Sequence, residues 1–117
     1  MKWFIAKMVY QIICGAGEHT PQFDEQLRVI LAKNPEDAFI KAYEMGMSEQ
    51  DSFLNQKNDW VRWKFINIAD LYPINQLIDG AEIYSRIEEV DNADAYITFV
   101  HRRAEAIQEK HAEQILI

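Results

Sequence analysis

Lys2-Trp3-Phe4-Ile5-Ala6-Lys7-Met8-Val9-Tyr10-Gln11-Ile12-Ile13 opens the chain and is followed, after a loop, by Gln22-Phe23-Asp24-Glu25-Gln26-Leu27-Arg28-Val29-Ile30-Leu31-Ala32. The first run is rich in β-branched and aromatic residues and holds no glycine or proline, which predicts a long strand over residues 2–13. Between the two runs, Cys14-Gly15-Ala16-Gly17-Glu18-His19-Thr20-Pro21 carries two glycines and a proline and reads as a loop. The second run predicts a strand over 22–32. Together they imply an antiparallel hairpin with a long tip.

Asn34-Pro35-Glu36-Asp37 is a helix start: Asn34 can cap, Pro35 suits the first helical position, and the acids sit where the dipole favours them. Ala38, Phe39, Ala42 and Tyr43 then recur at helical spacing, and Gly46 is placed to end the helix. Ser48-Glu49-Gln50-Asp51 either starts a short second helix or continues the first. Asn55-Gln56-Lys57-Asn58-Asp59 reads as a polar loop.

Residues 60–72 predict a third strand whose apolar set moves from odd positions (Val61, Trp63, Phe65) to even ones (Ile66, Ile68). A bulge or an edge-to-core change near Phe65–Asn67 accounts for the switch. Pro73 and Asp79-Gly80 bracket the next connection, and residues 81–90 read as a fourth strand. Asp91 or Asn92 caps a last helix over about 93–113, with Tyr96, Phe99, Val100, Ala104 and Ile107 on one side. The expected fold class is α+β in the order ββαββα, a four-stranded, mainly antiparallel sheet with helices packed on one face. All 117 residues are expected to form one domain, with a core over about 2–90 and the C-terminal helix beyond it.

Charge narrows the partners. The net charge is −7, shared almost evenly by the two halves, which argues against a nucleic-acid backbone or an anionic membrane surface. Lys7 interrupts the apolar opening too soon for a secretory leader, and no apolar run has membrane-spanning length. With Cys14 alone no intrachain disulfide forms, in keeping with a cytoplasmic, reducing setting.

Two polar runs stand out, Gln22 to Arg28 and Asp79-Gly80-Ala81-Glu82-Ile83-Tyr84-Ser85-Arg86. On strands, Asp24, Gln26 and Arg28 share one parity, as do Glu82, Tyr84, Arg86 and Glu88. With helices on one face, these rows are expected to line the open one. Asp24, Gln26, Arg28, Glu82, Tyr84 and Arg86 are therefore the candidate binding residues. The same groups allow a small-molecule enzyme reading, with Asp24 or Glu25 and Glu82 as bases, Arg28 or Arg86 holding an anion and Tyr84 donating a proton. Carboxylates are common on so acidic a chain, so the match is weak.

Other constellations carry less. Cys14 and His19 share a loop but show no orienting third group. Gly15-Ala16-Gly17 lacks the residues of a phosphate loop or a dinucleotide fingerprint, so no cofactor is expected. His101, Glu105, Glu109 and Glu113 fall on one helix face, a pattern more often a solvated face than a metal site. The strand aromatics read as core rather than as base-stacking platforms. Ile115-Leu116-Ile117 ends the chain apolar and wants a surface, either its own domain or a second copy.

Taken in order, Trp3 to Lys7, Gln22 to Arg28, Val61-Arg62-Trp63-Lys64-Phe65, Asp70-Leu71-Tyr72 and Asp79 to Arg86 resemble the small bacterial family known as domain of unknown function 4288. The likeness covers roughly residues 3–90 and leaves the last helix as an extension. It implies a small bacterial cytoplasmic domain and carries no catalytic residue across. The leading expectation is a non-catalytic domain acting by binding or as a homodimer through the open sheet face. An acidic immunity or anti-toxin type protein that binds a basic protein partner is the alternative.

Overall fold

The computed structural model describes residues 1–115, with side chains through residue 112. The expected docking of the terminal Ile115-Leu116-Ile117 side chains lies outside the described residues. Element order is β1 (Lys2–Cys14), β2 (Gln22–Ala32), α1 (Pro35–Ser48), β3 (Asp51–Leu54), β4 (Trp60–Ile74) and α2 (Ala93–Ile115), the expected ββαββα. All strand pairs are antiparallel and lie in the order β2-β1-β4-β3. The chain divides into two compact units, residues 1–84 and 85–117.

In the first unit, β1 decides which way everything faces. Its even residues Phe4, Ala6, Met8 and Tyr10 are buried, and β2 adds Ile30 and Ala32 on the same side. β1 and β2 pair without a register shift, Phe4 opposite Ile30 and Ala6 opposite Arg28, so parity is preserved across the pair. Against β1, β4 slips twice, between the pairs at Lys7 and Met8 and those at Val9 and Tyr10. Asn67 opposes Val9 and Phe65 opposes Tyr10, which leaves Ile66 as an extra residue within the expected bulge region. The second slip leaves out Ala69. These bulges keep Phe65 and Ile68 both on the core side.

Helix α1 starts as expected: the Asn34 side chain accepts the Asp37 N–H at 2.8 Å, and Pro35 follows the cap. Its buried residues are Ala38, Ala42 and Gly46, a stripe of small side chains that brings the helix close to the sheet. Phe39 and Tyr43 are 41% and 40% exposed, at the edge of the contact rather than beneath it. Gly46 does not end the helix, which runs on to Ser48. The Phe65 ring occupies the place of its missing side chain: a Cβ there would collide with Phe65 Cε1. Phe65 is held in turn by edge contacts with Tyr10 and Tyr43, at centroid distances of 5.5 and 5.4 Å. The Tyr10 hydroxyl donates to the Gly46 carbonyl at 2.9 Å.

Two assignments need correction. Residues 51–54, in or after the helix expected to start or continue at Ser48-Glu49-Gln50-Asp51, form β3, and its hairpin with β4 turns through the predicted polar loop. There the Asn55 side chain accepts N–H groups from Lys57 and Asp59, and Asn58 takes the left-handed conformation. Residues 81–90, expected as the fourth strand, are irregular. Their alternation matches a strand, but among the described residues the sheet holds β2, β1, β4 and β3 and does not include them.

In the second unit, the Asn92 side chain accepts the Ala95 N–H at 3.0 Å and so caps α2. Tyr96, Ile97, Phe99, Val100 and Ile107 on this helix are all exposed.

Gly46→Ala is expected to cost about 1–3 kcal/mol, because the Phe65 ring has no free direction in which to yield. Urea denaturation of the two proteins measures this. Burial, with Glu49 and Asp24 nearby, pushes the Tyr10 phenol above its ordinary value of 10.0, Arg28 acting the other way. The unfolded chain therefore ionises this group first as pH rises. Its contribution is intact below pH 10 and is lost as pH climbs through the folded value. Melting temperature should fall above about pH 10, and less steeply in Tyr10→Phe.

Candidate functional site

The Asp24, Gln26 and Arg28 row is assembled as its spacing implies, but on the face beneath α1. Ile30 and Ala32 share its parity and are buried, so the strand commits the whole row to that side. The expectation that this row lines the open face is thus corrected. The three side chains are half-buried at the rim of the core.

They form a continuous chain of hydrogen bonds. The Trp63 indole N–H donates to Asp24 Oδ2 at 3.1 Å, and Gln26 Nε2 donates to the same oxygen at 2.7 Å. Arg28 Nη1 donates to Gln26 Oε1 at 3.1 Å. Its Nη2 donates to both Glu49 oxygens, at 2.8 and 3.1 Å, and touches Met45 Sδ at 3.6 Å. Glu49 is the C-cap of α1. The relay therefore ties the end of the helix, through β2, to β4. Each acceptor faces a donor and the one full ion pair is partly exposed, an arrangement suited to clamping elements in place.

Glu82, Tyr84 and Arg86 do not extend this row, because no strand carries them. The Tyr84 ring lies against Tyr72 with centroids 6.0 Å apart. Tyr72 opposes Ile5, so this contact is on the face opposite Asp24. Among the described residues the buried Tyr72 hydroxyl meets no hydrogen-bond partner, and burial first, then Asp70 and Tyr84, raises its phenol above the ordinary value while Lys7 opposes the rise. Glu82 lines an open cleft of about 250 Å³ with Pro73, Asn75, Gln76, Ile78 and Ala81. Arg86 lies in the second unit and bonds Glu88. Within the first unit, the Asp24 row and the Tyr84 ring thus stand on opposite faces of the sheet.

A cleft of about 330 Å³ among Gln50, Asp51, Ser52, Arg62, Trp63 and Lys64 was not anticipated. Its polar lining comes from the β3–β4 hairpin. The shared parity of Arg62 and Lys64 is the sequence signal for it, and β3 supplies the missing side. His19 accepts the Cys14 backbone N–H through Nε2 at 3.0 Å, and its Nδ1 is 2.9 Å from the Thr20 carbonyl. That ring therefore closes the β1–β2 loop by its backbone bonds. Among the described residues no three of His, Cys, Asp and Glu gather as a metal site, and no helix is long and apolar enough to cross a membrane.

The model of a domain of unknown function, DUF4288, matches residues 3–85. The chain belongs to this family. The match nearly coincides with the first compact unit, so the relay from Trp63 to Glu49 lies wholly within the family's domain and Arg86 lies beyond it. No curated protein and no solved structure matches the chain.

Asp24→Ala leaves the Trp63 N–H and the Gln26 amide without their acceptor and is expected to cost about 1–2 kcal/mol. Glu49→Ala, at the exposed end of the relay, should cost less than about 1 kcal/mol. Urea melts followed by tryptophan emission rank the two; the reverse order would contradict a relay anchored at Trp63.

Proposed function

We propose that the DUF4288 unit is a non-catalytic bacterial cytoplasmic domain that acts through self-association, as a homodimer. The observation that supports this reading is a mostly apolar row on the sheet face opposite α1, interrupted by Glu25, which pairs with Lys7 at 3.5 Å. Phe23, Leu27 and Val29 are 55%, 49% and 54% exposed, and all three belong to β2, a strand at the sheet edge. Trp3 of the neighbouring strand shares their parity and is also exposed. Scattered apolar residues are ordinary on a protein surface, but a row along an edge strand is a surface that favours protein contact. The polar relay on the other face is half-buried beneath α1, which leaves the more exposed apolar residues as the larger part of the contact.

Sedimentation velocity over a range of concentrations tests the reading. A dimer mass is expected for the unmodified chain, and Phe23→Ser with Val29→Ser should yield monomer with little change in melting temperature, since both side chains are half exposed. A unmodified chain that stays monomeric throughout would remove the self-association reading.

A further inference from the structure

The outer edge of β2 carries a specific instruction for how two copies meet. Gly15 N–H donates to the Trp60 carbonyl at 2.7 Å, towards β4, whereas Cys14 N–H turns the other way, to His19 in the loop that leads to β2. Backbone groups of a strand alternate sides, so the even residues of β1 are the ones that bond β2. The unbroken register sets Tyr10 opposite Asp24, Met8 opposite Gln26 and Ala6 opposite Arg28. The even residues of β2 are therefore satisfied inside the sheet. Phe23, Glu25, Leu27, Val29 and Leu31 aim their N–H and C=O groups outward. The Leu31 carbonyl agrees with this parity, because Lys41 Nζ reaches it from α1 at 3.0 Å. Among the described residues no other strand pairs with this edge.

We propose that β2 pairs antiparallel with β2 of a second copy, on a two-fold axis through Gln26, an inference that rests on the self-association reading above. The register follows from what each end of the edge permits. Pro21 has no N–H, and the Leu31 carbonyl is held by Lys41. Centring on Gln26 sets Pro21 opposite Leu31, so the N–H that Pro21 lacks falls against the carbonyl that Lys41 already holds, and no donor is left short there. Between them, Phe23 exchanges backbone bonds with Val29 of the partner copy, and Glu25 with Leu27. Centring on Leu27 instead directs the Phe23 N–H to the Leu31 carbonyl that Lys41 occupies.

Side chains favour the same register on both faces. Beneath α1, Asp24 faces Arg28 of the partner copy, twice by symmetry, and the Gln26 amides meet on the axis. These fall at the non-hydrogen-bonded positions, where facing side chains approach most closely. Both groups have capacity left for the contact. Asp24 accepts its two bonds at Oδ2, leaving Oδ1 open, and the Arg28 Nε–H is not among the donors of the relay. On the opposite face, Phe23 and Val29 cover one another twice by symmetry, while Leu27 lies against Glu25, whose charge is met by Lys7. Charge complementarity on one face and apolar contact on the other thus coincide at a single register.

The test is cysteine cross-linking in a Cys14→Ser background, read beside native mass. Gln26→Cys should form an interchain disulfide under mild oxidation, since residues on the axis lie within the Cα separation a disulfide spans. Leu27→Cys should not, because its copies are offset along the strands. Leu27→Pro removes only an outward N–H, so it should abolish the dimer and leave the monomer folded. That variant also keeps the proposal testable if Gln26→Cys fails to fold. A dimer that cross-links through Leu27→Cys, or that survives Leu27→Pro, would overturn this edge pairing while leaving self-association intact. A monomeric unmodified chain would overturn both.

Discussion

The structure depends on how closely α1 can approach the sheet. Ala38, Ala42 and Gly46 present almost no side chain at the contact, and the Phe65 ring fills the space at Gly46. That approach covers Phe4, Met8, Tyr10 and Ile30 and makes one face of β1 and β2 the core. It also brings the Gly46 carbonyl within reach of the Tyr10 hydroxyl, which would otherwise be buried without a partner. A larger residue along the stripe would lift the helix and expose the same apolar atoms that fix strand parity.

The polar row on β2 follows from that constraint. Once Ile30 and Ala32 must face α1, Asp24, Gln26 and Arg28 face it too, and each must find a bond at the rim of the core. Trp63 supplies a donor at one end and Glu49 an acceptor at the other. The most polar stretch of the sheet is thereby taken up with holding the helix end. Phe23, Leu27 and Val29 of the same strand have the other parity and are turned to the opposite face, where they remain exposed. This inverts the usual pattern of a polar outer face, and it is the edge strand that shows the inversion.

Much of the fold was legible. Long β-branched runs identify β1, β2 and β4; Asn34 and Asn92 announce their helices by capping chemistry; the parity switch after Phe65 marks a real bulge. The illegible parts share a cause. Asp51–Leu54 is a short strand whose pairing with β4, not its own composition, makes it one. Residues 81–90 alternate as a strand does, yet alternation requires an edge to pair with. Half of the candidate site was readable, since the spacing of Asp24, Gln26 and Arg28 does bring them together. Its face was not, because polarity suggested solvent while Ile30 and Ala32, in the same parity, pointed to the core. The likeness to DUF4288 was legible in runs such as Val61 to Phe65, which the family match over 3–85 includes.

By itself, the sequence determined the local elements and their periods: propensity, caps and turn residues act over a few neighbours and need no partner. It also determined that Asp24, Gln26 and Arg28 move as a set, because a strand alternates strictly. Only the tertiary structure decided that this set lies under α1, that Gly46 is a contact rather than a stop, and that β2 and not residues 81–90 forms a sheet edge. Those outcomes turn on which surfaces meet, and a surface becomes an inside or an outside only when another element covers it.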